Sequence, residues 1–190
     1  MKIYLIRHGQ SEANLAHTHA GQHDTPLTPL GCEQAAAAGE RLRGITFDKI
    51  YSSDLSRARR TAELALPGCE YTTDPRLREI RVGDAMVGRT AAECTAELGD
   101  TYVTARATLD FTHLGGESRA ELYARAVAFL DDLIREEHGT VAVFCHEGVI
   151  RELLCHVLGT DVRGRVAFPN CLIAVFEASD GKIQLLGWNI

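Results

Sequence analysis

The segment KIYLIRHGQSEAN, residues 2–14, decides the fold class because it joins an apolar run directly to polar residues. Residues 2–6 form a short apolar run, which predicts a buried strand. Arg7, His8 and Gly9 follow at the end of that strand. In α/β sheets, ligand sites form at the carboxyl ends of the strands, so we expect chemistry at these three residues.

Two further apolar runs end in similar residues. The run that ends at Tyr51 precedes a helix predicted over residues 55–66, with Arg57 in its first turn. The run 141–145 precedes His146. Three strand ends therefore bring two arginines and two histidines to one rim of the predicted sheet. Guanidinium groups and the free N–H groups of a helix start both bind anions, so this rim suits a phosphate group.

The remaining patterns alternate helices with strands. Thr28, followed by a proline, predicts a helix that ends before Gly44, and Ser53 or Asp54 is expected to cap the helix over 55–66. Ser118 begins a capping box ahead of a long apolar helix face. The other predicted elements are a weak strand at 70–73, helices over 89–107 and 148–158, and a hairpin of strands 172–176 and 183–186. This order predicts an α/β fold, a three-layer α/β/α arrangement with a mostly parallel mixed sheet, in a single domain over residues 1–190.

Composition narrows the class of protein. Hydrophobic residues make up 45% of the chain and charged residues 24%, as in ordinary globular proteins. A formal net charge of −6 argues against a nucleic-acid or anionic-membrane partner. The longest apolar run, residues 171–176, is far shorter than the roughly 20 residues of a membrane helix. Six scattered cysteines without a C-x-x-C motif favour reduced thiols and a cytoplasmic location. Nothing in the sequence indicates an oligomeric state.

Six short motifs follow one another along nearly the whole chain. They are RHGQSEAN (7–14), GQHDTPLT (21–28), SDLSRA (53–58), LREI (77–80), GGES (115–118) and CHEGVIR (145–151). In this order they resemble the motifs of the histidine phosphatase superfamily, which includes the cofactor-dependent phosphoglycerate mutases. The resemblance implies a phosphoglycerate mutase-like fold.

The same resemblance implies roles for individual residues. The implied catalytic residues are His8, Glu79 and His146, and the implied phosphate- or substrate-binding residues are Arg7, Asn14, Gln22 and Arg57. His8 would be phosphorylated, and Glu79 would donate a proton to the leaving oxygen and then activate water. Since guanidinium groups and His146 can neutralise the phosphoryl group, we expect no metal ion and no cofactor. The expected partner is a small phosphorylated substrate.

Several positions depart from the superfamily pattern. Glu147 replaces a glycine beside His146, and its carboxylate would repel a phosphate unless it pairs with an arginine or points away. Residues 84–88 stand where many relatives have a W-E-G segment, while Gln10 and Ala13 replace residues often found in the mutases. These differences, together with a chain too short for an extensive lid, favour a phosphatase over a mutase.

Three alternative functions are also compatible with the sequence. CHEGVIR also fits the C-x-x-G-x-x-R loop of cysteine-dependent phosphatases, with Cys145 as the nucleophile. His17, His19 and His23 provide three imidazoles within seven residues, a candidate zinc cluster. A non-catalytic phospholigand binder is the third, although such a protein is expected to have lost at least one of the implied catalytic residues.

Overall fold

Six strands form one mixed sheet in the computed structural model, which describes all 190 residues. Their bounds are Lys2–Arg7 (β1), Lys49–Ser52 (β2), Thr72–Thr73 (β3), Thr140–Cys145 (β4), Ile173–Ser179 (β5) and Lys182–Trp188 (β6). The spatial order is β3-β2-β4-β1-β5-β6, in which the first four strands are parallel and β5 and β6 are antiparallel. The predicted mostly parallel mixed sheet is confirmed, and β1, β2 and β4 end at the same edge.

Helices cover both faces of this sheet, which confirms the three-layer α/β/α arrangement. Their bounds are Glu12–Leu15 (α1), Pro29–Arg41 (α2), Ser56–Ala65 (α3), Ala91–Thr108 (α4), Arg119–Arg135 (α5) and Glu147–Leu158 (α6). Along β1, Ile3 and Leu5 pack in a core cluster with residues of α4, α5 and α6, whereas Ile6 packs with residues of α2 and α3. Since neighbouring strand residues face opposite sides, a strand buried on both sides needs a continuous apolar run.

The helix starts agree with the sequence in two cases and differ in one. Thr28 and Ser118 accept hydrogen bonds from the first turns of α2 and α5, as predicted. At α3 the N-cap residue is Leu55, which makes no side-chain cap, so the prediction of Ser53 or Asp54 is wrong. Both side chains have tertiary partners instead, because the Ser53 hydroxyl bonds a histidine of the neighbouring strand end and the Asp54 carboxylate accepts two hydrogen bonds from an arginine.

The segment 89–107 has little helical pattern, yet α4 covers most of it. The helix follows a capping box between Thr90 and Glu93, and its backbone is interrupted at Gly99, where φ is 53°. Glycine adopts this left-handed conformation at little cost, which allows one helix to change direction. The predicted strand over 70–73 is reduced to two residues that pair with β2. No helix combines the length and the apolar character needed to cross a bilayer.

Candidate active site

A cleft of about 280 Å³ lies at the sheet edge where β1, β2 and β4 end. Of the residues predicted for the site, the structure brings five to its wall: Arg7, His8, Asn14, Arg57 and Glu79. His146 is fully buried directly behind His8, with the two ring centroids 5.0 Å apart. His146 and Gln22 are the two predicted residues that do not line the cleft.

The ring of His8 is buried and oriented by the backbone. Its Nδ1 lies 2.7 Å from the carbonyl oxygen of Gly9. A carbonyl oxygen can only accept, so Nδ1 carries the proton of the neutral ring and Nε2 keeps a free lone pair. Burial, reinforced by the positive charges of Arg57 and Arg7, holds the pKa of His8 well below its ordinary value. The neutral ring needed for nucleophilic attack is therefore the stable form at neutral pH.

Close packing fixes the loop that carries His8. A Cβ atom on Gly9 would lie 2.3 Å from the carbonyl oxygen of Gly31 in α2, so no larger side chain fits without movement. The amide of Gly9 donates to the Thr61 hydroxyl at 3.1 Å. The carbonyl of His8 accepts a hydrogen bond from the Asn170 side chain at 3.1 Å. These contacts explain why glycine follows the histidine in this motif.

The guanidinium groups of Arg57 and Arg7 are each held by backbone carbonyls. Arg57 is almost fully buried, and its Nη1 and Nη2 donate to the carbonyls of His23 and Gly21 at 3.0 and 2.8 Å. Arg7 donates through Nη1 to the carbonyl of Phe168, while its buried Nε has no hydrogen-bond partner in the protein. A buried N–H without a partner is costly, and an oxyanion in the cleft is a suitable acceptor for it.

His146 is also neutral and lies against the same cationic groups. Its Nε2 is within hydrogen-bond distance of the Ser53 hydroxyl, at 2.9 Å, and its buried Nδ1 has no partner. Burial, followed by the charge of Arg57, lowers the pKa of His146 well below its ordinary value. Ser53 was predicted as the N-cap of α3; its hydroxyl contacts this ring and also accepts from the amide of Leu55 at 3.3 Å.

The carboxylate of Glu79 is held by backbone amides. Its Oε1 accepts from Ile80 at 2.8 Å and its Oε2 accepts from Gly148 at 3.1 Å. Gly148 is in the first turn of α6, where the backbone N–H groups have no partner within the helix and are free to donate to Glu79. A Cβ atom at Gly148 would lie 2.1 Å from the Glu79 Oε1, so the glycine is required for this approach.

The backbone of the Glu79 segment is held from behind by Arg125 of α5. Its guanidinium donates to the carbonyls of Arg76, Arg78 and Glu79 at 2.7, 2.5 and 3.0 Å. The same group forms an ion pair with Glu117 at 2.7 Å. No local sequence pattern indicates this role for Arg125, because the carbonyls that it binds are more than 45 residues away in the chain.

The two residues expected at the edges of the phosphate lie in different places. The Oδ1 of Asn14 accepts hydrogen bonds from the Ser11 amide and from Asn170 at 3.1 and 3.2 Å, which leaves its NH2 group free in the cleft. The side chain of Gln22 instead donates to the carbonyl of Glu79 at 3.0 Å. In the structure Gln22 therefore contacts the backbone that carries Glu79, and its contact with phosphate stays a prediction.

Comparison with known proteins decides the family. The model of the histidine phosphatase superfamily (branch 1) matches residues 3–190. This chain belongs to that superfamily. The resemblance predicted from the six motifs is confirmed, and the protein is a phosphoryl-transfer enzyme.

Similar proteins include both phosphatases and a mutase. The protein named "Probable phosphoglycerate mutase GpmB" of Salmonella paratyphi A is 33% identical, over 99% of this chain and 90% of that protein. The alpha-ribazole phosphatase structure from Shigella flexneri is 25% identical with a TM-score of 0.90, over 100% of this chain and 96% of that one. A mycobacterial glucosyl-3-phosphoglycerate phosphatase in complex with VO3 is 31% identical with a TM-score of 0.86, over 99% of this chain and 98% of that one.

Glu147, which stands where the superfamily pattern has a glycine, forms ion pairs with arginines at the edge of the cleft. Its carboxylate lies 3.3 Å from the Arg7 guanidinium and 3.6 Å from that of Arg151, one helical turn later. The side chain is 39% exposed and forms part of the cleft wall. The carboxylate is therefore paired with arginines, one of the two arrangements that make it compatible with a phosphate nearby.

Two arginines of the cleft were missed as site residues. Arg151 is within one of the six motifs, but only the helix geometry of α6 shows that it faces the cleft beside Glu147. Arg106 reaches the wall from α4, whose sequence has little pattern and contains no signal for a site.

The cysteine and zinc hypotheses do not fit this superfamily member. Cys145 is fully buried, does not line the cleft, and has its pKa raised by burial, so a thiolate is disfavoured. The three histidines predicted as a zinc cluster do not converge, and no group of three potential metal ligands occurs among the 190 residues. The Nε2 of His19 instead contacts the Tyr102 hydroxyl at 3.0 Å.

Proposed function

We propose that this protein hydrolyses small phosphomonoesters through a phosphohistidine intermediate at His8. The observation that carries the proposal is the hydrogen bond from His8 Nδ1 to the Gly9 carbonyl. It directs an unprotonated Nε2 into a cleft whose wall includes Arg7 and Arg57. The nucleophile and the groups that stabilise phosphoryl charge are therefore together before a substrate binds.

In the first step, His8 Nε2 attacks phosphorus and the ester P–O bond breaks. Glu79, in its protonated form, gives its proton to the departing alcohol oxygen. In the second step, water attacks phosphorus, Glu79 takes the water proton, and the N–P bond breaks to release inorganic phosphate. The protein returns with a neutral His8 and a protonated Glu79, so atoms and protons balance over the cycle.

The oxygens of the transferred group are stabilised by the arginines and the neighbouring amide and imidazole groups. The guanidinium groups include the unpartnered Nε of Arg7, and the unpartnered Nδ1 of His146 and the free NH2 of Asn14 provide further donors. Charge-assisted hydrogen bonds of this kind stabilise the equatorial oxygens of in-line phosphoryl transfer.

Hydrolysis is favoured over mutase activity because one wall of the cleft is open to water. The Glu147 side chain that forms this wall is 39% exposed. Both solved structures described above are of phosphatases, whereas the curated relative is named as a mutase. A mutase must keep water from its phosphohistidine, so a water-accessible cleft supports the hydrolase.

The test is a panel of phosphomonoesters assayed for phosphate release with EDTA present, together with trapping of the phosphoenzyme. We expect release by the wild type, no release by His8→Ala, and an acid-labile, base-stable phosphoenzyme that persists in the Cys145→Ser control. Rapid exchange between 3-phosphoglycerate and 2-phosphoglycerate with negligible phosphate release would refute the hydrolase. A phosphoenzyme that survives in His8→Ala would refute the nucleophile.

A further inference from the structure

A second compartment of about 570 Å³ opens beside the catalytic cleft. Arg106, Leu109, Glu147 and Arg151 belong to the walls of both spaces. A molecule whose phosphate lies at His8 can therefore extend past these residues into the second compartment without leaving the protein surface.

The second compartment has an excess of positive charge. Four arginines line it, at positions 106, 151, 163 and 165, against two carboxylates, Glu147 and Asp161. The chain as a whole carries a net charge of −6, so this excess is opposite in sign to the rest of the molecule. Local positive potential of this kind attracts anionic groups.

Both carboxylates of this compartment are already paired with arginines. Asp161 accepts from Arg163 at 2.8 Å and from Arg119 at 3.1 Å. Glu147 lies between Arg7 and Arg151, as described above. Neither carboxylate is therefore left to neutralise the remaining arginines.

Arg106 and Arg165 are the arginines that remain. Neither makes a side-chain hydrogen bond or an ion pair within the protein, while Phe168 and Leu109 provide apolar wall close to them. An arginine fork binds a carboxylate or a phosphate through two parallel hydrogen bonds, and an apolar wall suits the carbon chain between two such groups.

We propose that Arg106 and Arg165 bind a second anionic group, carboxylate or phosphate, on the alcohol part of the substrate. This inference rests on the proposed function, because it assumes that the ester phosphate occupies the cleft at His8. The substrate class is then a phosphomonoester whose alcohol carries another negative charge, rather than a phosphorylated neutral alcohol.

Two matched substrate pairs test the inference. The substrates 3-phosphoglycerate and glycerol 3-phosphate differ by a carboxylate in place of a CH2OH group, and fructose 1,6-bisphosphate and fructose 6-phosphate differ by a second phosphate. We expect the wild type to prefer the more charged member of at least one pair by about tenfold in kcat/KM, the size of a charge-assisted hydrogen bond. The pair that shows the preference identifies whether the second group is a carboxylate or a phosphate.

Arginine variants then locate the preference. Arg106→Gln and Arg165→Gln are each expected to reduce the ratio of kcat/KM values within that pair by about threefold, mainly through KM, and the double variant by about tenfold. Arg59→Gln, at an exposed arginine of α3 that also makes no side-chain hydrogen bond, is the matched control and is expected to keep the wild-type ratio. Equal kcat/KM values within both pairs, or variants that lower both members of a pair equally, would overturn the inference.

Calorimetric binding to the His8→Ala protein separates this inference from the proposed function. Tighter binding of the more charged member, lost in His8→Ala/Arg165→Gln, supports the second anion site even if no ester is hydrolysed. Hydrolysis with no difference in binding refutes the second anion site and leaves the proposed function standing.

Discussion

The contact between Arg125 and the Glu79 segment provides the sharpest test of the proposed acid–base role. Replacing Arg125 with methionine keeps the unbranched stem of the side chain but removes every donor. The three carbonyls of residues 76, 78 and 79 then lose hydrogen bonds, and Glu117 loses its ion pair. We expect the change to loosen the backbone that carries Glu79.

The size of the effect follows from burial. The side chains of Arg125 and Glu117 are only 17% and 13% exposed, so their ion pair is largely removed from solvent. Breaking such a pair costs about 3 kcal/mol, the lower end of the range for buried pairs. In a chain of this size, that cost corresponds to a fall of about 6–12 °C in Tm.

The catalytic effect is expected to depend on the leaving group. An alkyl phosphate needs a proton on its departing oxygen, whereas 4-nitrophenolate leaves without one. Arg125→Met is therefore expected to lower kcat for glycerol 3-phosphate by about tenfold or more, within the range for general acid catalysis. For 4-nitrophenyl phosphate we expect a change of less than about threefold, because the arginines that bind the phosphate are untouched.

The assay compares kcat for both esters with Tm for each variant. Arg135→Met removes an exposed arginine from the same helix and is the matched control, since its side chain is 72% exposed. Adding Glu117→Gln to Arg125→Met removes the unpaired carboxylate and is expected to restore part of the lost stability. Equal losses of kcat for both esters, or an unchanged Tm in Arg125→Met, would refute the reasoning.

Four further predictions concern the cleft and the buried histidine in it. Glu147→Gln removes the carboxylate that lies 3.3 Å from Arg7. At this exposure the repulsion between that carboxylate and a bound oxyanion is worth about 1 kcal/mol, so the inhibition constant of vanadate is expected to fall by about fivefold. An unchanged inhibition constant would contradict this prediction. Gly148→Ala introduces a Cβ atom that would overlap Glu79 Oε1. The kcat for alkyl phosphates is therefore expected to fall by about tenfold or more in initial-rate assays. A kcat equal to that of the wild type would contradict the placement of Glu79. Because burial holds the pKa of His8 well below 6.5, the acid limb of the kcat/KM profile is expected below that pH. For the same reason, below about pH 6.5 His8 binds a proton in the unfolded chain but not in the folded one. The free energy of unfolding is therefore expected to fall as the pH drops below about 6.5, by up to about 1.4 kcal/mol per pH unit. Urea titrations that show an equal fall in His8→Gln would contradict the assignment of this effect to His8.

Much of the fold could be predicted because its signals are local. The apolar runs of β1 and β4 and the capping residue Ser118 depend on neighbours within a few positions, and the structure has these elements within one or two residues of the prediction. The hairpin predicted from strands 172–176 and 183–186 is likewise present as β5 and β6, which are joined at Asp180 and Gly181. The N-cap of α3 could not be predicted, because the Ser53 hydroxyl bonds a histidine 93 positions away as well as the amide of Leu55, and Leu55 is the N-cap residue.

By itself, the sequence determined the superfamily, the layered α/β/α fold and the residues at the strand ends, among them Arg7, His8 and Arg57. These features follow from the short-range spacing of apolar residues and from the order of the six motifs along the chain. Only the tertiary structure decided that Gln22 contacts the Glu79 backbone and that Arg106 shares its wall with Arg165. The physical reason is that tertiary packing determines which distant residues become hydrogen-bond or ion-pair partners. Such partners are not related by any local or periodic sequence pattern.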